Sequence, residues 1–313
     1  MSVRARVFAG TTAWAAFVVG RVPDLRHEAW ALALLLFSVL VLVPLAWPLW
    51  TEADEGGWPA RSLAWVWRAQ PAAGLALVAA CWFAPGALAA ALALPWAACT
   101  GLLAAAGAGR IVRGGWGRQL DALCADCALV YVAVGGFWLM ADRAGLQPFG
   151  FAAAIVTLTA VHFHFAGLLL PLLAGRVQRE FPFSRFVSRI AVGVVLAVPA
   201  VAVGITVSQL GGGLGVEMAA GSALALAGMG VAVLHVRLAT EARAGAMRVR
   251  LLLGASGVSL FFAMTLAGLY AIRPLALPFP WLDLPAMRMA HGTLNALGFG
   301  LCGVLGWRGV RRE

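Results

Sequence analysis

One stretch of this sequence excludes most folds. Residues 151–175 contain no charged side chain over 25 consecutive positions, and most of these positions are apolar. At about 1.5 Å per residue, a helix of this length crosses the ~30 Å hydrocarbon core of a bilayer with some tilt. The stretch therefore predicts a transmembrane helix.

Composition extends this interpretation to the whole chain. Hydrophobic residues make up 62% and charged residues 12%, against about 45–50% and 25% in soluble domains. The net charge of +10 comes from arginine alone, and the arginines lie between apolar stretches. This pattern indicates membrane topology and gives no support for nucleic-acid binding. We expect an all-α, polytopic transmembrane helical bundle that forms a single integral-membrane domain over residues 1–313.

The five cysteines lie inside apolar stretches and are interpreted as small buried apolar residues. Cys124 and Cys127 match the C-x-x-C spacing, but with no second pair they do not define a metal or redox site. The arginine-only, Ala- and Gly-rich composition is typical of a high-GC bacterial genome, such as those of actinobacteria.

Ten apolar stretches are predicted to be membrane spans, the first being a retained helix and not a cleaved signal peptide. They cover residues 7–19, 30–50, 71–83, 87–106, 120–140, 151–175, 190–208, 216–236, 251–272 and 289–307. The third and fourth join at Pro85 and Gly86, and a re-entrant hairpin is the alternative for this pair. Eighteen arginines fall on one set of loop ends and five on the other. This asymmetry places both termini in the cytoplasm, in a bacterial cytoplasmic membrane.

Two histidines lie near the middle of the sixth predicted span. Titratable side chains are costly at that depth, so His162 and His164 are functional candidates. They are two residues apart, roughly 200° around a straight helix. We therefore expect His162 to face a cavity and His164 to bond a neighbouring helix, the alternative being that both only pack.

Carboxylates and a further histidine lie closer to the ends of their spans. Asp126 is about one turn into the fifth span, where an ion pair with a nearby arginine is the plain interpretation. Glu217 opens the eighth span, where an acid at a helix N-terminus is favoured in any case. His235 closes that span and is expected to lie at the membrane interface.

The tenth span carries a polar pair. His291 and Asn295 are four residues apart and so share one face, while Gly292, Ala296 and Gly300 form a small-residue face suited to close helix packing. From the predicted depths, we expect at least three of Glu217, His291, Asn295 and His162 to line one cavity. Asp126 would be its floor or a separate group.

Two short elements resemble a known family. The run HFHFAG at 162–167 and the run HGTLNALGF at 291–299 are similar to two elements of the YndJ-like family of bacterial membrane proteins. The resemblance implies a multi-pass helical bundle with a polar centre, and it implies no particular reaction. Integral-membrane terpenoid cyclases offer a looser association through the type of genome.

The first functional hypothesis is a membrane-embedded enzyme acting on a lipophilic small molecule, namely a cyclase or isomerase of an isoprenoid or its epoxide. Glu217 would be the acid, with Asp126 second; His291 and Asn295 would orient it, and His162 would take the last proton. Aromatic side chains would line the pocket and stabilise cations: Trp82, Phe83, Trp138, Phe163, Phe165, Phe261 and Phe262. The hypothesis involves membrane lipids as surroundings, with no cofactor and no metal.

The alternative hypothesis is a proton-coupled transporter that uses the same Glu and His residues as a relay. Neither a visible internal repeat nor matched, broken helices support it. A histidine metal site is disfavoured because two histidines at i, i+2 with distant partners do not match a known ligand spacing.

Overall fold

The described residues of the computed structural model, 1–51, 56–115, 118–241, 245–275 and 279–310, are helical and contain no strand. Ten long helices follow one another, which confirms the all-helical expectation. They are α1 (Val3–Arg21), α2 (Ala29–Thr51), α3 (Gly57–Trp82), α4 (Ala87–Gly114), α5 (Leu120–Ala144), α6 (Ala153–Glu180), α7 (Arg185–Gln209), α8 (Gly215–Thr240), α9 (Met247–Ala271) and α10 (residues 284–309).

Seven of these helices, α2 and α4 to α9, are long and apolar enough to cross a membrane. The chain is therefore a multi-pass helical membrane protein. Arginines within α1, α3 and α10 lower the apolarity of these three helices. The total of ten spans stays a prediction.

The helices divide into two compact units, Met1–Leu169 and Leu170–Glu313, with the boundary inside α6. In the first unit, α4 packs between α3 and α5. The α2 helix is its most buried element, with 94% of its most apolar window buried. In the second unit, α8 packs between α7 and α9, and α10 packs on α9. The expectation of one domain over 1–313 is untested and stays a prediction.

The third helix begins earlier than the sequence predicted. We expected a loop over 51–70, but α3 is helical from Gly57; residues 52–55 of that loop lie outside the described residues. Arg61 and Arg68 are exposed, and the Arg68 guanidinium lies 5.7 Å from the Trp65 ring centroid. A charge ends an apolar stretch in the sequence, but a long side chain that reaches outward does not end a helix.

Several other helices also run past their predicted ends. The loop expected over 109–118 is helical to Gly114, and the loops expected over 176–189 and 237–250 are helical to Glu180 and Thr240. The turn at Pro85 and Gly86 is confirmed, since the helix restarts at Ala87. With 26 and 28 residues, α3 and α4 favour two full-length helices over a re-entrant hairpin.

Candidate functional site

Three helices leave the α-helical pattern, and in two of them, α6 and α10, this happens where the sequence placed polar candidates. Five-residue π-helical turns occupy Ser38–Leu42 in α2, Phe163–Gly167 in α6 and Arg288–Gly292 in α10, and a longer one follows at Leu294–Leu301. Such turns are rare and are frequent at functional sites. His162 immediately precedes the π turn of α6, while His291 and Asn295 lie within those of α10.

His164 is completely buried and bonds a neighbouring helix, as predicted. The Trp96 indole Nε1–H of α4 donates to His164 Nε2 over 3.0 Å, and His164 Nδ1 lies 2.8 Å from the Ala160 carbonyl. An indole N–H can only donate and a carbonyl can only accept. The ring is therefore the neutral Nδ1–H tautomer, with both nitrogens occupied.

Polar side chains bond two backbone carbonyls of the π turns in the first unit. Ser38 Oγ donates to the His164 carbonyl over 3.2 Å, and Gln70 Nε2 donates to the Val39 carbonyl over 3.0 Å. All four residues are buried. Buried hydroxyls and amides of this kind compensate for backbone groups that a widened turn displaces. The sequence analysis did not single out Ser38 or Gln70.

His162 has different surroundings from His164. Its side chain is partly exposed, and its ring meets Phe163 edge-on, with centroids 5.8 Å apart. Since His162 is the last residue before the π turn, the helix between the two histidines is not the straight one assumed from sequence. The bond from His164 to a neighbouring helix is confirmed, while a cavity in front of His162 stays a prediction.

The polar pair of α10 is assembled as its spacing predicted. His291 Nδ1 lies 2.8 Å from the Ala263 carbonyl of α9, so this nitrogen carries the hydrogen and Nε2 carries the lone pair. Asn295 Nδ2 donates to the His291 carbonyl over 2.9 Å and lies 3.2 Å from His291 Nε2. Asn295 is buried and His291 partly exposed. A histidine with one nitrogen fixed by a carbonyl and a basic nitrogen in reach of an amide is arranged for proton transfer.

His235 is buried inside the second unit, and its expected place at the membrane interface stays a prediction. It is fully buried and accepts the Trp307 indole N–H at Nε2 over 3.1 Å. Its Nδ1 lies 3.0 Å from Ser256 Oγ, which donates to the Phe299 carbonyl over 3.0 Å. The chain of donors runs from Trp307 through His235 and Ser256 to a carbonyl of the π turn. Packing on α9 and α10 thus covers His235, although it lies near the end of α8.

Glu217, the expected acid, lies in an ion pair. Ser208 Oγ donates to Glu217 Oε2, and Arg273 Nη2 lies 3.5 Å from Oε1. The Arg273 guanidinium also stacks on Tyr270, 3.9 Å from the ring centroid. This cluster joins the end of α7, the first turn of α8 and the segment after α9. The hydroxyl and the guanidinium thus hold the Glu217 carboxylate between these segments.

Asp126 also lies in an ion pair with arginine, which confirms the interpretation made from the sequence. It forms an ion pair with Arg118, and Arg110 Nη1 lies 3.8 Å from its Oδ1. Arg110 also donates to the Trp50 carbonyl over 2.9 Å. Asp126 is 1% exposed, so this cluster balances charge inside the first unit.

Sequence reasoning missed a second buried ion pair by assigning Asp142 and Arg143 to a loop. Arg143 Nε and Nη2 both reach Asp142 Oδ2 over 2.7 Å, and Thr157 Oγ1 of α6 donates to the other carboxylate oxygen. Adjacent opposite charges in the sequence, Asp142 followed by Arg143, were the available signal.

An apolar groove lies on the second unit between α8 and α9, with a volume of about 210 Å³. Phe261 and Phe262, two of the predicted pocket aromatics, line it together with aliphatic side chains: Ala232, Val233, Val236 and Val258. The described residues hold no group of three or more His, Cys, Asp or Glu side chains placed to bind a metal ion.

The five predicted site residues thus fall into separate settings. His291 and Asn295 are in contact, Glu217 bonds Ser208 and Arg273 in the same unit, and His162 and Asp126 belong to the first unit. The expectation that at least three of Glu217, His291, Asn295 and His162 line one cavity stays a prediction.

Fold, apolar spans and buried polar groups define a multi-pass α-helical membrane protein. Within that class, the chain belongs to the YndJ-like protein family, whose sequence model matches residues 33–299. It is also similar to the uncharacterized membrane protein YndJ of Bacillus subtilis (strain 168), with 31% identity over 181 residues. That match covers 58% of this chain and 31% of the relative, so the chain spans well under two thirds of its length. No solved structure matches the chain.

Proposed function

We propose that this protein is a membrane-embedded enzyme that moves a proton on a lipophilic substrate, with an isoprenoid as the concrete candidate. The observation that carries the proposal is the His291–Asn295 pair on the π-helical part of α10. The Ala263 carbonyl lies 2.8 Å from His291 Nδ1 and fixes the hydrogen on that atom, which leaves His291 Nε2 as the basic atom. The Asn295 amide, 3.2 Å from that atom, would yield its place to substrate.

The geometry favours an isomerase over an epoxide-opening cyclase. A cyclase of that kind begins when a carboxylic acid gives up its proton. Glu217 and Asp126, the two candidate acids, both lie in ion pairs with arginines. An isomerase needs one group that removes a proton from carbon next to an activating group such as a carbonyl and returns it to another carbon. A neutral histidine suits the first step, and the imidazolium that it becomes suits the second.

The lipophilic character of the substrate rests on the surroundings of this pair. Both α9 and the neighbouring α8 are apolar enough to span a membrane. The exposed rings of Phe261 and Phe262 line the groove between these two helices. A hydrocarbon substrate would partition into this environment from the lipid phase.

We further propose ten spans with both termini in the cytoplasm, in a bacterial cytoplasmic membrane. The split of eighteen against five arginines supports it; Arg243, Arg311 and Arg312 of that count lie outside the described residues. The 26-residue length of α3 supports its place among the ten, although its arginines lower its apolarity.

A proton-coupled carrier is the second candidate, and one observation favours it. Irregular turns interrupt three helices, α2, α6 and α10, and transporters often bind substrate where spanning helices lose regularity. In that case His291 would take up and release a proton without any change in the covalent structure of the substrate.

Deuterium labelling separates the candidates. Membranes containing the protein are incubated with an isoprenoid lipid extract in D₂O, and the lipids are analysed by mass spectrometry. We expect deuterium on carbon of one lipophilic species with the native protein and with Glu217→Gln, and at least a tenfold loss with His291→Gln. Thermal unfolding of each variant in detergent checks that it is folded.

Two outcomes would contradict this assignment. Loss of labelling in Glu217→Gln with full labelling in His291→Gln would return the acid role to Glu217. No labelling with any variant, together with uptake driven by a pH gradient into vesicles, would establish the carrier.

A further inference from the structure

The second unit has one strongly basic end, formed where α6, α8 and α10 finish and α7 and α9 begin. Three contacts bring these helix ends together. The Arg237 guanidinium lies 5.0 Å from the Phe181 ring centroid, and Arg250 Nε donates to the Ala239 carbonyl over 2.8 Å. The end of α10 packs against the start of α9, since a Cβ built on Gly309 would lie only 2.6 Å from Val249 Cγ2. We call this region the basic end.

Charge is distributed very unevenly between the two ends of this unit. The described residues of the basic end include two acids, Glu180 and Glu241, and eight arginines: Arg176, Arg179, Arg185, Arg189, Arg237, Arg248, Arg250 and Arg308. The opposite end has two arginines and two acids: Arg273, Arg288, Glu217 and Asp283. The excess of positive charge therefore belongs to one side of the unit.

Two phenylalanines project from the basic end. Phe183 is 97% exposed and Phe186 62% exposed, in the short connection between α6 and the first turn of α7. The connection is ordered, since Ser184 N–H donates to the Phe181 carbonyl over 3.1 Å and Ser184 Oγ accepts from Val187 N–H over 3.4 Å. The rings are thus held outward by a structured turn.

Exposed aromatic rings interleaved with arginines match the boundary of a membrane. Arg185 is exposed beside Phe186 in the first turn of α7, and Arg189 is exposed one turn later. Phenyl rings leave water for the boundary between headgroups and acyl chains, while arginine pairs with phosphate oxygens there. Below them, α7 continues an exposed apolar side through Val192 and Leu196, as a helix that enters the bilayer would.

We propose that the basic end binds the headgroups of anionic phospholipids, with Phe183 and Phe186 inserted between the acyl chains. The partner is an anionic lipid leaflet, because the site combines phosphate-binding charge with rings that need hydrocarbon. This inference rests on the membrane class of the chain, and it holds whether the protein is an enzyme or a carrier.

Native mass spectrometry of the full chain in detergent tests it, with phosphatidylglycerol compared with phosphatidylcholine of the same acyl chains. We expect the native protein to retain phosphatidylglycerol preferentially. The double variant Arg185→Gln/Arg189→Gln should bind it about fivefold more weakly for each arginine removed. Phe183→Ser should also weaken binding, without loss of thermal stability, because the ring has almost no protein contact.

The matched control is Arg21→Gln/Arg26→Gln, which removes the same charge from two exposed positions of the first unit. It should leave the lipid preference unchanged. The proposal fails if the control loses as much binding as the double variant, or if the double variant binds like the native protein. Equal retention of the two lipids by the native protein would also overturn it. Unchanged binding by Phe183→Ser would overturn the insertion of the rings.

Discussion

At the scale of single residues, a tryptophan fixes a buried histidine in each unit. Trp96 donates to His164, and Trp307 donates to His235, in both cases at Nε2. The opposite ring nitrogen of each histidine meets a carbonyl or a hydroxyl. With both nitrogens occupied, these two histidines hold helices together and are not free to exchange protons with a substrate. His291 differs because its side chain is partly exposed and the group at its Nε2 is the Asn295 amide of its own helix, not an indole of a neighbouring one.

Replacing Trp96 by Phe should therefore destabilise the protein. The change leaves His164 Nε2 buried without its donor, a cost of about 1–3 kcal/mol. Trp50→Phe is the matched control, since Trp50 is equally buried but its indole nitrogen has no hydrogen-bond partner among the described residues. Thermal unfolding in detergent should show the larger loss for Trp96→Phe. Equal losses would mean that the indole–histidine bond adds nothing beyond ring volume.

The Asp142–Arg143 pair offers a second test. Asp142→Asn strands a buried guanidinium and should cost about 3–5 kcal/mol. The double variant Asp142→Leu/Arg143→Met should be less destabilised than Asp142→Asn, because it leaves no buried charge. Arg237→Gln, at the exposed Arg237–Glu241 pair, should change stability by about 1 kcal/mol or less. A small effect of Asp142→Asn would show that water reaches the pair.

At the scale of helices, the sequence predicted elements better than their ends or their internal geometry. Hydropathy located every long helix, but it stopped at charges such as Arg61 and Asp142 that the folded chain exposes or pairs. Helix spacing predicted the His291–Asn295 contact, because both residues lie on one element. No local pattern predicted the π turns, since their stability depends on donors far along the chain, such as Ser38 for the His164 carbonyl.

Close packing of α10 on α9 shows the effect of these turns. The sequence assigned close packing to Gly292, Ala296 and Gly300; Ala296 and Gly300 are indeed buried. The α9 residues Ser259, Ser256 and Leu253 instead meet Gly298, Gly303 and Gly306. Because π turns take extra residues per turn, the face toward α9 moves along the sequence.

Gly298→Ala should accordingly be destabilising. An added Cβ would overlap Ser259 Oγ and Cβ, and this short side chain cannot move aside. We expect a loss of about 1–3 kcal/mol. Gly268→Ala is the control: its Cβ would meet Ala225 at an ordinary 3.5 Å, so stability should be unchanged or slightly raised. The close contact would be disproved by a Gly298→Ala protein as stable as the native one.

At the scale of the whole molecule, the proposed topology can be measured by cysteine labelling. The native cysteines in the described chain are free, and all but Cys302 are buried. Introduced cysteines at Leu146, 61% exposed, and at Phe183, 97% exposed, lie in connections on opposite sides of the proposed arrangement. An impermeant maleimide added to intact cells should label Leu146→Cys, and should label Phe183→Cys only after the membrane is opened. The reverse pattern would invert the topology.

The π turn of α6 also bears on how relatives are to be aligned. Such a turn holds one more residue than an α-helical turn, so the two halves of α6 follow different helical registers on either side of 163–167. A relative lacking one residue there would have an ordinary helix, and its later residues would lie on the same faces as those of this chain if the alignment places a one-residue gap within 163–167. An alignment without that gap would compare side chains that point in different directions.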